Sequence, residues 1–109
     1  MGEGMKKAQE VIRKFNEERD WEQFHTIENL AKGLTIEASE VLECFQWSTT
    51  DYDKEEVIEE LADVQAYCIM LADKLGVDLE KIVLDKYKKN ALKYPVDKAK
   101  GNSTKYTKL

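Results

Sequence analysis

From Leu61 to Ala72 the chain carries only two strongly polar residues, Asp63 and Gln65. Through this stretch Val57, Leu61, Val64, Cys68, Leu71 and Leu75 recur at intervals of four and three, the spacing of one helical stripe. Other apolar residues fill the remaining faces, so the helix is apolar nearly all round. Such a helix belongs inside a bundle rather than on its surface. A chain of 109 residues has few ways to surround it. The inward-facing surface exceeds what one small bundle needs, which predicts an obligate homo-oligomer.

Three further segments show helical spacing. The first runs from about Met5 to Glu18, with Met5, Ala8, Ile12 and Phe15 on one stripe. The second runs from about Ile27 to Trp47, with Leu30, Leu34, Val41 and Cys44 inward. The apolar helix starts at Asp53, whose spacing to Glu56 is that of a capping box, and Gly76 stops it. The last starts near Asp78 and ends before Pro95. Along it, Leu79 and Val83 are followed at the same spacing by Lys86 and Asn90. One proline and five glycines are too few for a many-stranded sheet, and 42% hydrophobic residues are too many for disorder. The expected fold is all-α, a single domain over residues 1–109 with a basic tail from about 95 to 109.

Charge divides the chain. Residues 86–109 hold eight lysines and one acid, whereas residues 1–85 hold nine basic and 21 acidic residues. An acidic body with a basic tail suits a bound cation in the body and an anion near the tail. It argues against a nucleic-acid polymer as partner. No 18-residue apolar run exists, so no membrane span is expected, and the N-terminus lacks the apolar region of a signal peptide. Cys44 and Cys68 lie in apolar helical stretches and read as reduced, buried, small hydrophobes; two cysteines and one histidine do not make a zinc site. The expected location is cytoplasmic.

Two acidic pairs carry the chemistry: Glu37-Ala-Ser-Glu40 on the second helix and Glu60-Leu-Ala-Asp63 on the third. Three residues apart, the two members of each pair share one helical face. Solvated helix acids are the ordinary explanation for either pair alone. Here Glu37 falls in line with Leu30, Leu34, Val41 and Cys44, and Asp63 falls in the most apolar stretch of the chain. A buried carboxylate without a partner costs several kcal/mol. Four hard oxygen donors on two packed helices suit Mg²⁺ or Mn²⁺ rather than zinc or copper.

The pattern Glu-x-x-Glu, nineteen residues, Glu-x-x-Asp resembles the signature of the MazG-like all-α nucleoside triphosphate pyrophosphohydrolases. Glu18-Arg19-Asp20-Trp21-Glu22-Gln23-Phe24-His25, Cys44-Phe45-Gln46-Trp47, Tyr94-Pro95 and Lys105-Tyr106-Thr107 resemble the dCTP pyrophosphatase branch. The resemblance implies a four-helix bundle completed by subunit pairing, as a homodimer or a homotetramer made of two dimers. It implies cleavage between the α- and β-phosphates, in nucleotide-pool house-cleaning. Its metal ligands fall on Glu37, Glu40, Glu60 and Asp63, with Glu40 orienting or deprotonating the attacking water. Its substrate pocket falls on Trp21, His25, Trp47, Tyr67, Lys86 and Asn90, and the tail motif adds Lys105 and Tyr106. Trp21 and Trp47 would stack on a base, Asn90 would meet a base edge or the sugar, and the lysines would neutralise phosphates. Two departures bear on the base: the loop between the acidic pairs is shorter than in vertebrate members, and Ile12 stands where those carry a histidine. A preference for dATP, dUTP or a phosphoribosyl-ATP intermediate is the alternative. A non-catalytic helical dimerisation module is a third reading, opposed by the intact four acids.

Overall fold

The computed structural model describes residues 3–109 and the side chains from Met5 onward; Met1 and Gly2 of the N-terminal segment considered above lie outside the described residues. Five helices follow one another: α1 (Glu3–Glu18), α2 (Ile27–Glu43), α3 (Lys54–Leu75), α4 (Leu79–Lys93) and the single turn α5 (Val96–Ala99). Short 3₁₀ turns lie at Glu22–Phe24 and Tyr106–Lys108. There is no strand among the described residues. None of their helices is long and apolar enough to cross a membrane.

Side-chain caps set the starts. Thr26 Oγ1 accepts from the Asn29 amide at 3.1 Å, and Asp78 Oδ1 from that of Lys81 at 3.2 Å. Asp53 Oδ1 accepts from Glu55 and Glu56, each filling an orphan donor of the first turn. Gly76 closes α3 with φ of 70°, a left-handed conformation that glycine adopts without steric penalty. The second helix ends at Glu43, four residues before the expected Trp47. Cys44, Phe45 and Gln46 donate instead to carbonyls three residues back. Beyond them the Ser48 hydroxyl accepts from the amides of Thr50 and Asp51, a local alternative to helical bonding.

The end of α1 explains the Glu18–His25 octapeptide. The Trp21 amide donates to the Asn16 carbonyl at 2.9 Å and the Asp20 amide to that of Glu17 at 3.1 Å. These two bonds are a Schellman closure, and Asp20 holds its left-handed position with φ of 54°. The accompanying apolar contact is Trp21 edge-on to Phe15, with ring centroids 5.6 Å apart. Arg19 lies over the Phe15 ring and donates to the Phe15 carbonyl. Gln23 donates to the Asp20 carbonyl and carboxylate, and Asn29 to the Phe24 carbonyl. Asparagine tolerates the left-handed region, so Asp20→Asn is expected to leave stability nearly unchanged. A β-branched side chain does not, so Asp20→Val should lower it by about 1–2 kcal/mol in urea melts.

α2 and α3 form the closest helix pair. Gly33 meets Tyr67, Glu37 meets Glu60 and Asp63, and Cys44 lies near Glu56, so the two run antiparallel. α1 leans on α3, clamped where Arg13 and Gln9 both donate to the Asp73 carboxylate. That pairing holds the Asp73 carboxyl below its ordinary value. Among the described residues buried apolar side chains are few: Leu30 on α2 and Ile69 and Ala72 on α3. The radius of gyration is 17.2 Å, against about 13 Å for a compact chain of this length. Its own chain covers the stripe read along α3 only in part: Val57, Val64, Cys68 and Leu71 are half-buried, whereas Leu61 is 59% exposed and Leu75 is also exposed. Cys44 and Cys68 are free thiols, half-buried rather than buried.

Candidate active site

On the antiparallel pair, Glu37, Glu60 and Asp63 each bring one carboxylate oxygen within 4.8 Å of the others. The buried Oε2 atoms of Glu37 and Glu60 have no hydrogen-bond donor among the described residues. Glu40 stands outside that trio but close to both Glu37 and Glu60, and as carboxylates they offer one another only acceptors. That contact, with burial and the charges of Asp63 and Glu37, pushes Glu60 up to about 7. Glu37 is raised mainly by burial, then by Glu40 and Asp63. Acids brought together without a counter-charge, two with orphaned oxygens, fit a divalent cation that prefers hard oxygen donors.

Beside the acids, α1, the octapeptide loop and α3 enclose a cavity of about 300 Å³. Its wall includes Asp63 and Tyr67 of α3, Trp21 and His25 of the loop, and Ile12, Phe15 and Asn16 of α1. Tyr67 owes its position to Gly33: a Cβ there would come within 2.2 Å of the ring, so the missing side chain makes room for it. A second cavity of about 360 Å³ shares Ile12, Asn16, His25 and Met70 but has the Arg13–Asp73 pair in its wall and none of the four acids. The first is the one continuous with the acidic cluster.

The other expected substrate residues stand apart from this cavity within the chain. Trp47 is 89% exposed on the turn after α2. Lys86 and Asn90 lie on α4, the first exposed and the second half-buried. Tyr106 packs edge-on against Tyr94 and lies under the Lys93 ammonium, while Lys105 is exposed. Two positions were missed from sequence. Gly33 carries no signal of its own, since a helical glycine shows only that a side chain is absent. Asn16 could have been found: it stands four residues beyond Ile12, in line with the α1 stripe.

The MazG-like family model matches residues 32–109, a span that holds both acidic pairs. The chain belongs to the MazG-like family. Among curated relatives, dCTP pyrophosphatase 1 from Homo sapiens is 40% identical over 104 residues, covering 87% of this chain and 61% of the human protein. The Rattus norvegicus protein of the same name is 38% identical over the same shares. The chain thus spans about three fifths of the length of these relatives. A pyrophosphatase from Archaeoglobus fulgidus superposes with a TM-score of 0.80 at 35% identity, covering 87% of this chain and 95% of that one.

Proposed function

We propose that the protein is a Mg²⁺-dependent nucleoside triphosphate pyrophosphohydrolase. Water attacks the α-phosphorus, the α–β phosphoanhydride breaks, and a nucleoside monophosphate and pyrophosphate leave. The preferred substrate is dCTP or a modified form of it, and the setting is the cytoplasmic nucleotide pool. The observation that carries this reading is a cluster of carboxylates, two with orphaned oxygens, at one end of an aromatic cavity. The cavity is of the size that small-ligand sites begin at. The relatives named dCTP pyrophosphatase 1 support the substrate class.

Glu37, Glu40, Glu60 and Asp63 would hold the cation, for which Mn²⁺ is a second candidate. When bound, it supplies charge neutralisation on the phosphate oxygens. Glu40, which reaches both Glu37 and Glu60, orients the attacking water and takes its proton. Trp21, His25 and Tyr67 line the cavity, and the base would lie against Trp21 and His25. Trp47, Lys86, Asn90, Lys105 and Tyr106 lie away from their own chain's cavity. They serve the site from a second copy, in a homodimer or a dimer of dimers.

A panel of standard and 5-substituted nucleotides with Mg²⁺ tests the reading, with products separated. Expected are monophosphate and pyrophosphate in equal amounts, and no turnover in EDTA. Release of orthophosphate, or undiminished turnover in EDTA, would overturn it.

A further inference from the structure

We infer that Asn16 is the specificity-determining residue that selects bases bearing an exocyclic amino group. This deepens the proposed function and rests on it. Among the described residues Asn16 is the one polar residue in the buried class, at 7% exposure, and it lines the cavity beside the acids. Its Nδ2 donates to the Met70 sulfur at 3.3 Å, a weak acceptor. No described residue donates to its Oδ1. That oxygen is not among the fully enclosed unpartnered ones, which are the Oε2 atoms of Glu37 and Glu60, so it is open to the cavity and can accept from a ligand there.

The order of groups along α3 places Asn16 at the base end. Asp63, Tyr67 and Met70 follow one another on the cavity wall, and seven residues of helix span about 10 Å. With phosphates at Asp63, the sugar comes level with Tyr67 and the base level with Met70 and Asn16. The wall there is otherwise apolar or aromatic, apart from His25. Stacking on Trp21 or Phe15 does not distinguish one base from another. The Asn16 carbonyl does: it accepts from the amino group of cytosine and opposes the keto oxygen of uracil. Rotating the amide to suit uracil would set Oδ1 against the Met70 sulfur, acceptor against acceptor.

The test compares kcat/KM for dCTP, dUTP and the 2-pyrimidinone analogue that has hydrogen in place of the amino group. Wild type is expected to favour dCTP over both others by on the order of 10-fold or more. In Asn16→Leu, and in Asn16→Ser should leucine disturb the fold, the dCTP/dUTP ratio should collapse toward one through loss on dCTP alone. Equal losses on all three substrates would make Asn16 a structural residue and overturn the inference. So would a wild type that accepts the 2-pyrimidinone analogue as well as dCTP. A wild type that hydrolyses no triphosphate would refute the proposed function instead. The Asn16 assignment is then decided by calorimetry with dCMP and dUMP: a dCMP preference lost in Asn16→Leu upholds it, and equal or absent binding overturns it.

Discussion

Glu60→Gln and Asp63→Asn should each lower turnover by on the order of 100-fold or more while the helical circular dichroism signal persists. The same substitutions should raise the melting temperature of the metal-free protein. Both effects come from one arrangement, acids held together with two oxygens unpartnered. Removing a charge takes away a metal ligand and also relieves repulsion. The sign of the pH dependence follows. Glu60 is pushed from 4.5 to about 7 in the folded chain, so folded protein binds more protons than unfolded protein between those values. Stability of the metal-free protein therefore falls as pH rises through that window and stays low above it. Glu37, raised as well, acts in the same direction. Mg²⁺ should restore more stability at pH 8 than at pH 5, and Glu60→Gln should flatten the profile. Thermal melts across pH, with EDTA or with Mg²⁺, measure all of this. A metal-free protein steadier at pH 8 than at pH 5, or near-normal activity in both variants, would count against the metal site.

Where the sequence was legible, the physics was local. Helix starts follow from Thr26, Asp53 and Asp78, whose side chains bond the next few amides. The acidic cluster brings together three of the four acids of the two i, i+3 pairs, Glu37, Glu60 and Asp63, because the helices that carry them pack side by side. Local rules erred once on an end: α2 stops at Glu43, where Cys44, Phe45 and Gln46 tighten to carbonyls three residues back, a change that apolar periodicity does not register. The α3 stripe shows a deeper limit. Periodicity says that Leu61 and Leu75 share a face; it cannot say whether that face meets the same chain or another. Trp47, Lys86 and Asn90 raise the same difficulty, since spacing places a residue on an element and does not name its neighbour. Tyr67, one turn beyond Asp63, and Asn16, four residues beyond Ile12, lie on faces that spacing can read, but what seats each needed the third dimension. The first depends on an absent side chain at Gly33, the second on a weak acceptor far along the chain at Met70.

Sedimentation at micromolar concentration should find a mass of two or four chains rather than 12.6 kDa, and the melting temperature should rise with protein concentration. The chain exposes 8638 Å², whereas a compact protein of its mass exposes about 6,200 Å². The excess, about 2,400 Å² per chain, is the scale of an obligate interface. Its chemistry fits one as well. Leu61 and Leu75 on α3, Val83 and Tyr87 on α4, and Leu92, at 83% exposure, leave large side chains uncovered. Three buried apolar residues form too small a core to hold four helices against the entropy of ordering them. Leu61→Lys should therefore dissociate the assembly and unfold the chain together, without a folded monomer between. Activity should disappear in the same step if, as proposed, Trp47, Lys86 and Asn90 serve the cavity of a second copy. Mixing supplies the decisive control. Asp63→Asn and Trp47→Ala chains, each inactive or weakened alone, should regain a fraction of wild-type turnover when unfolded and refolded together, since mixed pairs contain one intact site. A folded, active 12.6 kDa species, or mixtures no more active than the sum of their parts, would show that each chain works alone.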